Sequence, residues 1–233
     1  MFFPQKPGVH AVNSGIKNLK LAVLNVSVVV LAEVHNPTIL HPAFLVAQEI
    51  VPSDWELADL PVCTPAISVV KFTNNILLTA EIPKFQVVDN SPTPATPIPG
   101  LAVRYIEKLP HVRYTAVGIN ISGYVQCPQP EAFLLDRFIK HGPWADAKLK
   151  PDTLGVQLTY PVEQGKLNLK CEPGTVHKTQ GKTELPVLLI NANYHIGLAA
   201  ERALAEAKSA IELLPQRLAH FDEITQIVFG LEK

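Results

Sequence analysis

The sequence predicts an α+β fold: two similar β-α-β-β-(β)-α halves that share one curved, largely antiparallel sheet, with helices packed on one face. Three observations predict it. A segment recurs at a shift of 89 residues, carrying Pro42-Ala43-Phe44-Leu45 onto Glu131-Ala132-Phe133-Leu134 and Trp55 onto Trp144. Several runs alternate between apolar and other residues with period two, the signature of strands. Short turn signals join these runs as hairpins, which makes the pairing antiparallel.

The elements follow in order. Residues 20–33 alternate, with Ala22, Leu24, Val26, Val28, Val30 and Ala32 on one side. Residues 41–51 carry Phe44, Leu45, Val46 and Ile50, which suits a short helix. Residues 66–73 and 76–82 read as two strands around the turn Asn74-Asn75, and Phe85 to Val88 as a third. The stretch from Ser91 to Pro99 is rich in Pro and reads as an extended connector. Gly100 to Leu109 reads as a helix.

The second half repeats the plan. Residues 112–125 alternate, and Pro130 opens a helix to about Lys140, as Pro does in a first helical turn. Residues 154–161 and 166–172 form a hairpin at Glu163-Gln164, and Leu185 to Tyr194 form a strand. A helix follows from Leu198 to about Leu213, opening with Gly197-Leu198-Ala199 as an echo of Gly100-Leu101-Ala102. Pro215 interrupts it before a last amphipathic helix over 216–230. The whole chain, 1–233, reads as one pseudo-two-fold domain, with halves at about 20–109 and 112–213 and the C-terminal helix beyond.

The repeat also assigns faces. Positions apolar in both copies belong to the core: Ile67/Val156, Val69/Leu158, Leu78/Leu167, Ala80/Leu169 and Ile82/Cys171. The alternate positions form a face left open to water or a partner, as antiparallel sheets permit. That face is expected to be apolar in the first half (Val70, Phe72, Leu77). In the second it is expected to be polar and basic (Gln157, Lys166, Asn168, Lys170).

Composition bounds the function. The net charge is −1, and the first 111 residues hold 7 Lys/Arg against 8 Asp/Glu. No basic module stands out, which disfavours nucleic acid. The 3 Cys and 8 His form no CxxC, HxH or HExxH, so neither metal nor cofactor is expected. Cys171 is expected in the core, and the odd, scattered Cys fit a reducing, cytosolic setting. No stretch is apolar enough to span a bilayer, and no signal peptide is evident. Trp55 and Trp144 are expected to pack at the end of each half's first helix. The apolar set Leu213, Leu214, Leu218, Phe221, Ile224, Ile227, Val228 and Leu231 is expected to dock on its own domain or to join two copies.

The opening strands carry Asn25-Val26-Ser27-Val28 and Asn120-Ile121-Ser122-Gly123. Tandem copies of strand, helix, antiparallel strands and helix, with Asn at the centre of each opening strand, resemble the TATA-binding protein fold. That resemblance spans roughly residues 20–213 and implies a saddle with helices on its convex side. The family also wedges paired Phe into the minor groove, whereas Phe72 has Pro161 as its counterpart here. The expectation is therefore non-enzymatic binding of a protein or small ligand through the open sheet face. Asn25, Ser27, Tyr114, Asn120, Ser122 and Tyr124 lie near the pseudo-dyad, with Gln157, Lys166, Asn168 and Lys170 beside them. Nucleic-acid binding and an enzyme site between the halves are the alternatives.

Overall fold

Strand β1 (Ala22–Ala32) and strand β6 (Tyr114–Gln126) form the central seam. Each buries alternate side chains: Val26, Val28 and Val30 from β1, and Val117, Ile119, Ile121 and Val125 from β6. The computed structural model describes residues 20–140, 142, 151, 153–177 and 184–230. Around the seam lie β2 (Val62–Cys63), β3 (Ile67–Lys71), β4 (Ile76–Glu81) and β5 (Lys84–Asp89). The other side holds β7 (Val156–Val162), β8 (Gly165–His177) and β9 (Glu184–Gly197). The sheet has nine strands in the order β2-β3-β4-β5-β1-β6-β9-β8-β7, every neighbouring pair antiparallel. It is open, with β2 and β7 at its rims.

The helices described pack on one face. They are α1 (Pro42–Ala47), α2 (Ile98–Glu107), α3 (Pro130–Phe138), α4 (Ala203–Glu212) and α5 (Leu214–Phe229). Pro lies in the first turn of α1, where its missing N–H costs nothing, and His41 Nδ1 accepts the Phe44 N–H as a cap. Helix α2 buries Ile98, Leu101, Tyr105 and Ile106, at i, i+3, i+7 and i+8. Tyr105 stacks flat on Phe85 of β5, with ring centroids 3.6 Å apart. Truncating such a buried aromatic costs about 3–5 kcal/mol. Helix α4 lies beside α2 across the seam, and Lys208 pairs with Glu107 there.

Side chains tie the helix layer together. Arg104 donates twice to the Ile50 carbonyl, at 3.0 and 2.8 Å, fixing α2 to the chain leaving α1. Arg137 of α3 donates to the Val228 carbonyl at 2.6 Å and reaches that of Ile227 at 3.5 Å. It thus satisfies the orphan end of α5, which Gly230 terminates at φ 65°. The Pro-rich connector is anchored by the buried Asp89, which accepts from Ser91 N at 2.9 Å and Thr96 Oγ1 at 2.6 Å.

Several expectations need correction. In β3 the core residues are Ser68 and Val70, both fully buried, while Ile67 is 37% exposed and Val69 half-buried. The cause is loop length. The β3–β4 hairpin closes with three residues, 73–75, between Phe72 and Ile76. The β7–β8 hairpin closes with two, 163–164, between Val162 and Gly165. Asn75 and Gln164 keep equivalent places in the left-handed region, at φ 67° and 62°. The strand before the turn therefore slips by one residue between halves, and a one-residue slip reverses every side chain. Val70 and Phe72 belong to the core, Phe72 beneath the edge of Trp55 at 5.1 Å. Ile82 lies in the β4–β5 turn and is 49% exposed, so it is not a core residue, whereas Cys171 is buried. Trp144 lies outside the described residues. Gly100-Leu101-Ala102 lies within α2, whereas Gly197-Leu198-Ala199 precedes α4 and its short 3-10 turn. No helix among the described residues is long and apolar enough to cross a membrane.

Candidate functional site

The face opposite the helices carries the candidate site. At the seam the two Asn-x-Ser segments pair with one another: Asn25 lies opposite Ser122, and Ser27 opposite Asn120. Pairing continues outward in register. One row across five strands reads Ser27, Asn120, Asn193, Asn168 and Thr159. The next row reads Asn25, Ser122, Asn191, Lys170 and Gln157. A third holds Val29, Gly118, His195, Lys166 and Pro161.

Cross-strand neighbours are close enough to bond, and these do. Asn120 Nδ2 donates to Ser27 Oγ at 3.2 Å and Asn193 Nδ2 donates to Asn120 Oδ1 at 2.5 Å. Gln86 Nε2 of β5 reaches Ser27 Oγ from the other side at 3.3 Å. Ser122 Oγ donates to Asn191 Oδ1 at 2.8 Å, and Thr159 Oγ1 to Asn168 Oδ1 at 2.9 Å. Lys170 pairs with Glu172 at 2.7 Å. The rows line a shallow depression of about 410 Å³ bounded by Asn120, Gln157, Asn168, Lys170, Asn191 and Asn193.

Nine of the ten residues expected at the site share this face. Asn25, Ser27, Asn120, Ser122 and Tyr124 cluster at the seam, and Gln157, Lys166, Asn168 and Lys170 lie beside it. Tyr114 does not join them. A bulge at Thr115 shifts the register so that Tyr114 pairs with Ala32 and turns to the helix side. There it is 2% exposed and donates to the carbonyls of Leu109 (2.9 Å) and Ile106 (3.2 Å). Sequence reasoning missed Asn191 and Asn193. Their alternation with Ile190, Ala192 and Tyr194 was the available signal.

The first half of the same face is mixed: of the residues expected there only Leu77 lies on it, and Thr79 and Gln86 stand among its apolar residues. Val29, Leu77 and Val88 continue it outward, followed by Val69, Ile67 and Val62 toward the β2 rim. Lys71 and Lys84 lie among them, paired with Asp59 (3.0 Å) and Glu81 (2.8 Å).

Shifted ionisation occurs on the helix side instead. Burial pushes the Tyr105, Tyr114 and Tyr194 hydroxyls and the Cys171 thiol upward, and pulls His35 below its ordinary 6.5. Tyr194 shares a 2.9 Å hydrogen bond with His220 Nδ1 and lies beneath the Arg217 guanidinium, 5.2 Å away. Arg217 in turn donates to the Glu163 carbonyl at 2.5 Å, bracing the β7–β8 turn.

A larger cleft of about 760 Å³ lies past the end of the seam, lined in part by Glu33, His111, Arg113, Glu201 and Arg202. Its arginines are engaged, Arg113 with Glu33 at 3.3 Å and Arg202 with Glu206 at 3.0 Å. Glu206 also accepts the Ala199 N–H at 2.7 Å, so the turn leading into α4 is closed by its own carboxylate. Among the described residues no three of His, Cys, Asp and Glu converge to hold a metal. Of the C-terminal apolar set, Leu214, Phe221 and Ile224 are buried against the chain's own sheet and Ile227 is 69% exposed, while Leu231 lies outside the described residues. No family model matches the chain, and no curated protein matches it.

Proposed function

We propose that the protein is a non-enzymatic binding protein whose ligand surface is the helix-free face of the sheet. A protein or a small ligand is its partner. One observation carries the reading: two polar rows run in register from β1 to β7, on a face where a purely structural sheet needs no such order. The carboxamides of Asn120, Asn168, Asn191 and Asn193 are half-buried, held by one another or by Ser122 and Thr159, and still have donors or acceptors to spare. Preorganised groups of this kind lose little freedom on binding.

The scaffold is read as similar to the TATA-binding protein fold, supported by the paired Asn-x-Ser segments at its seam. Charge does not support the nucleic-acid use of that scaffold, since Lys170 is already neutralised by Glu172.

The test is chemical-shift mapping with a small-molecule fragment library, alongside duplex DNA at low and at physiological salt. Hits that move the signals of Asn120, Asn168, Asn191 and Asn193 support the reading. Hits confined to the cleft at Arg113 and Arg202 would replace it with a site at the end of the seam. DNA binding that falls steeply with salt would replace it with the saddle function.

A further inference from the structure

We infer that the polar half of the open face recognises an uncharged, β-linked oligosaccharide lying across the strands. The inference rests on the reading of that face as the ligand surface, and it adds what the ligand is.

The chemistry of the donor set points first to hydroxyl groups. After their internal bonds, Asn168 and Asn191 each keep both amide protons, and Asn193 keeps its carbonyl. The side chains of Gln157 and Asn25 make no hydrogen bond among the described residues and keep all their donors and acceptors. The surface therefore offers donors and acceptors side by side. An anion would use only the donors, and a cation only the acceptors. A sugar hydroxyl, being both, uses each.

Spacing points the same way. Side chains of one row repeat at the strand separation, about 4.8 Å, so five strands extend the row over about 19 Å. An extended peptide presents like-facing groups every second residue, about 6.8 Å apart, and loses step with the row. A single-stranded nucleic acid needs a basic groove along its backbone. Here the rows carry Lys170, paired with Glu172, and beyond them Lys166. A neutral β-1,4-linked glycan turns each pyranose ring over relative to the last but carries equatorial hydroxyls on both ring edges, so hydroxyls recur once per ring, at nearly the strand separation. Tyr124 stands next to Ser122 along β6 on the same face, where its ring can stack on a sugar.

The experiment is titration of the intact, isotope-labelled protein with cellopentaose, laminaripentaose and chitopentaose, together with their disaccharides. Side-chain amide signals of Asn and Gln are the readout, and an extended neutral hexapeptide is titrated in parallel. The expected result is movement of the Asn120, Asn168, Asn191, Asn193 and Gln157 amides by at least one pentasaccharide. Its affinity should exceed that of its disaccharide by about tenfold or more and hardly change with salt. The double variant Gln157→Ala with Asn168→Ala changes exposed or half-buried groups and should weaken binding about tenfold while the backbone spectrum stays native. If no pentasaccharide moves those amides but the peptide does, the glycan inference is wrong and the binding face stands. If neither moves them, the glycan inference is wrong, and if no fragment moves them either, the binding face is lost with it. Equal affinity for disaccharide and pentasaccharide also overturns the inference, because the row would then not be read along its length.

Discussion

The two halves of the sheet share a buried side and differ on the exposed one. Beneath the helices both are apolar: Val70, Leu78 and Phe85 in the first half occupy the same layer as Leu167, Leu169 and Ile190 in the second. On the other face the first half presents Val69, Leu77 and Val88 interspersed with Thr79 and Gln86, where the second presents the carboxamides of Asn168, Asn191 and Asn193. The core must be apolar in either half to hold its helices, so packing constrains it. The exposed face is under no such demand, and there the halves differ.

Four comparisons probe that contrast. The largest effect is expected at the strand whose register slips between the halves. Val70→Lys puts a charge among the helices and should cost about 4 kcal/mol or prevent folding, whereas Val69→Lys should cost less than about 1 kcal/mol. Chemical denaturation of the pair decides it. If Val69→Lys is the damaging one, the first hairpin follows the second without a slip.

Next comes the turn itself. Gly165 has φ 154°, and a Cβ there would overlap the His195 carbonyl oxygen. Gly165→Ala should destabilise by about 3 kcal/mol. The aligned residue in the longer first hairpin is Ile76, which is buried. Ile76→Ala should cost about 2–4 kcal/mol as a cavity instead. The two are separable by crystal structure: a displaced β9 backbone in one, an unfilled space in the other.

His35 is smaller in effect and peculiar to the first half. It is buried, bonded to the Val30 carbonyl at 3.2 Å, and burial lowers its pKa below 6.5. The folded protein therefore binds its proton less readily than the unfolded chain does. Stability from the neutral ring is complete above 6.5 and is lost as pH falls below it. Comparing stability between about pH 5 and pH 7, the protein should show a steeper acid loss than His35→Gln. The difference cannot exceed about 1.4 kcal/mol per pH unit, the limit for one proton. Equal slopes would mean that His35 is protonated without penalty.

The smallest effect is expected on the exposed face. Asn193→Ala breaks the bond to Asn120 and should cost about 1 kcal/mol, while Gln86→Ala, at the apolar side of Ser27, should cost about 0.5 kcal/mol. Equal values would mean that the polar rows are no more tightly built than their border.

Much of this was legible in the chain. Alternation in residues 20–33 and 112–125 located the seam, and Asn25 and Asn120 were correctly placed on its uncovered side. Two things were not legible, for a shared reason. Ser68 and Val70 were assigned to the wrong face because a turn of three residues and a turn of two look alike under a fixed shift. Tyr114 was misplaced because the bulge at Thr115 adds a residue that alternation does not announce. Period-two patterns determine which residues share a face only between irregularities, and each irregularity resets the count. Asn191 and Asn193 were visible in the alternation of β9 but lay within a run read for its apolar residues.

The rims of the sheet have a consequence for the molecule in a crowded solution. A broad, open sheet with a bare face is a template on which further strands can add without limit. Here one rim is the two-residue β2, and the other is β7, where Pro161 has no N–H to offer a newcomer. An incoming chain finds too few consecutive partners at either border to register against. The face can thus stay uncovered while the protein resists growing into fibres.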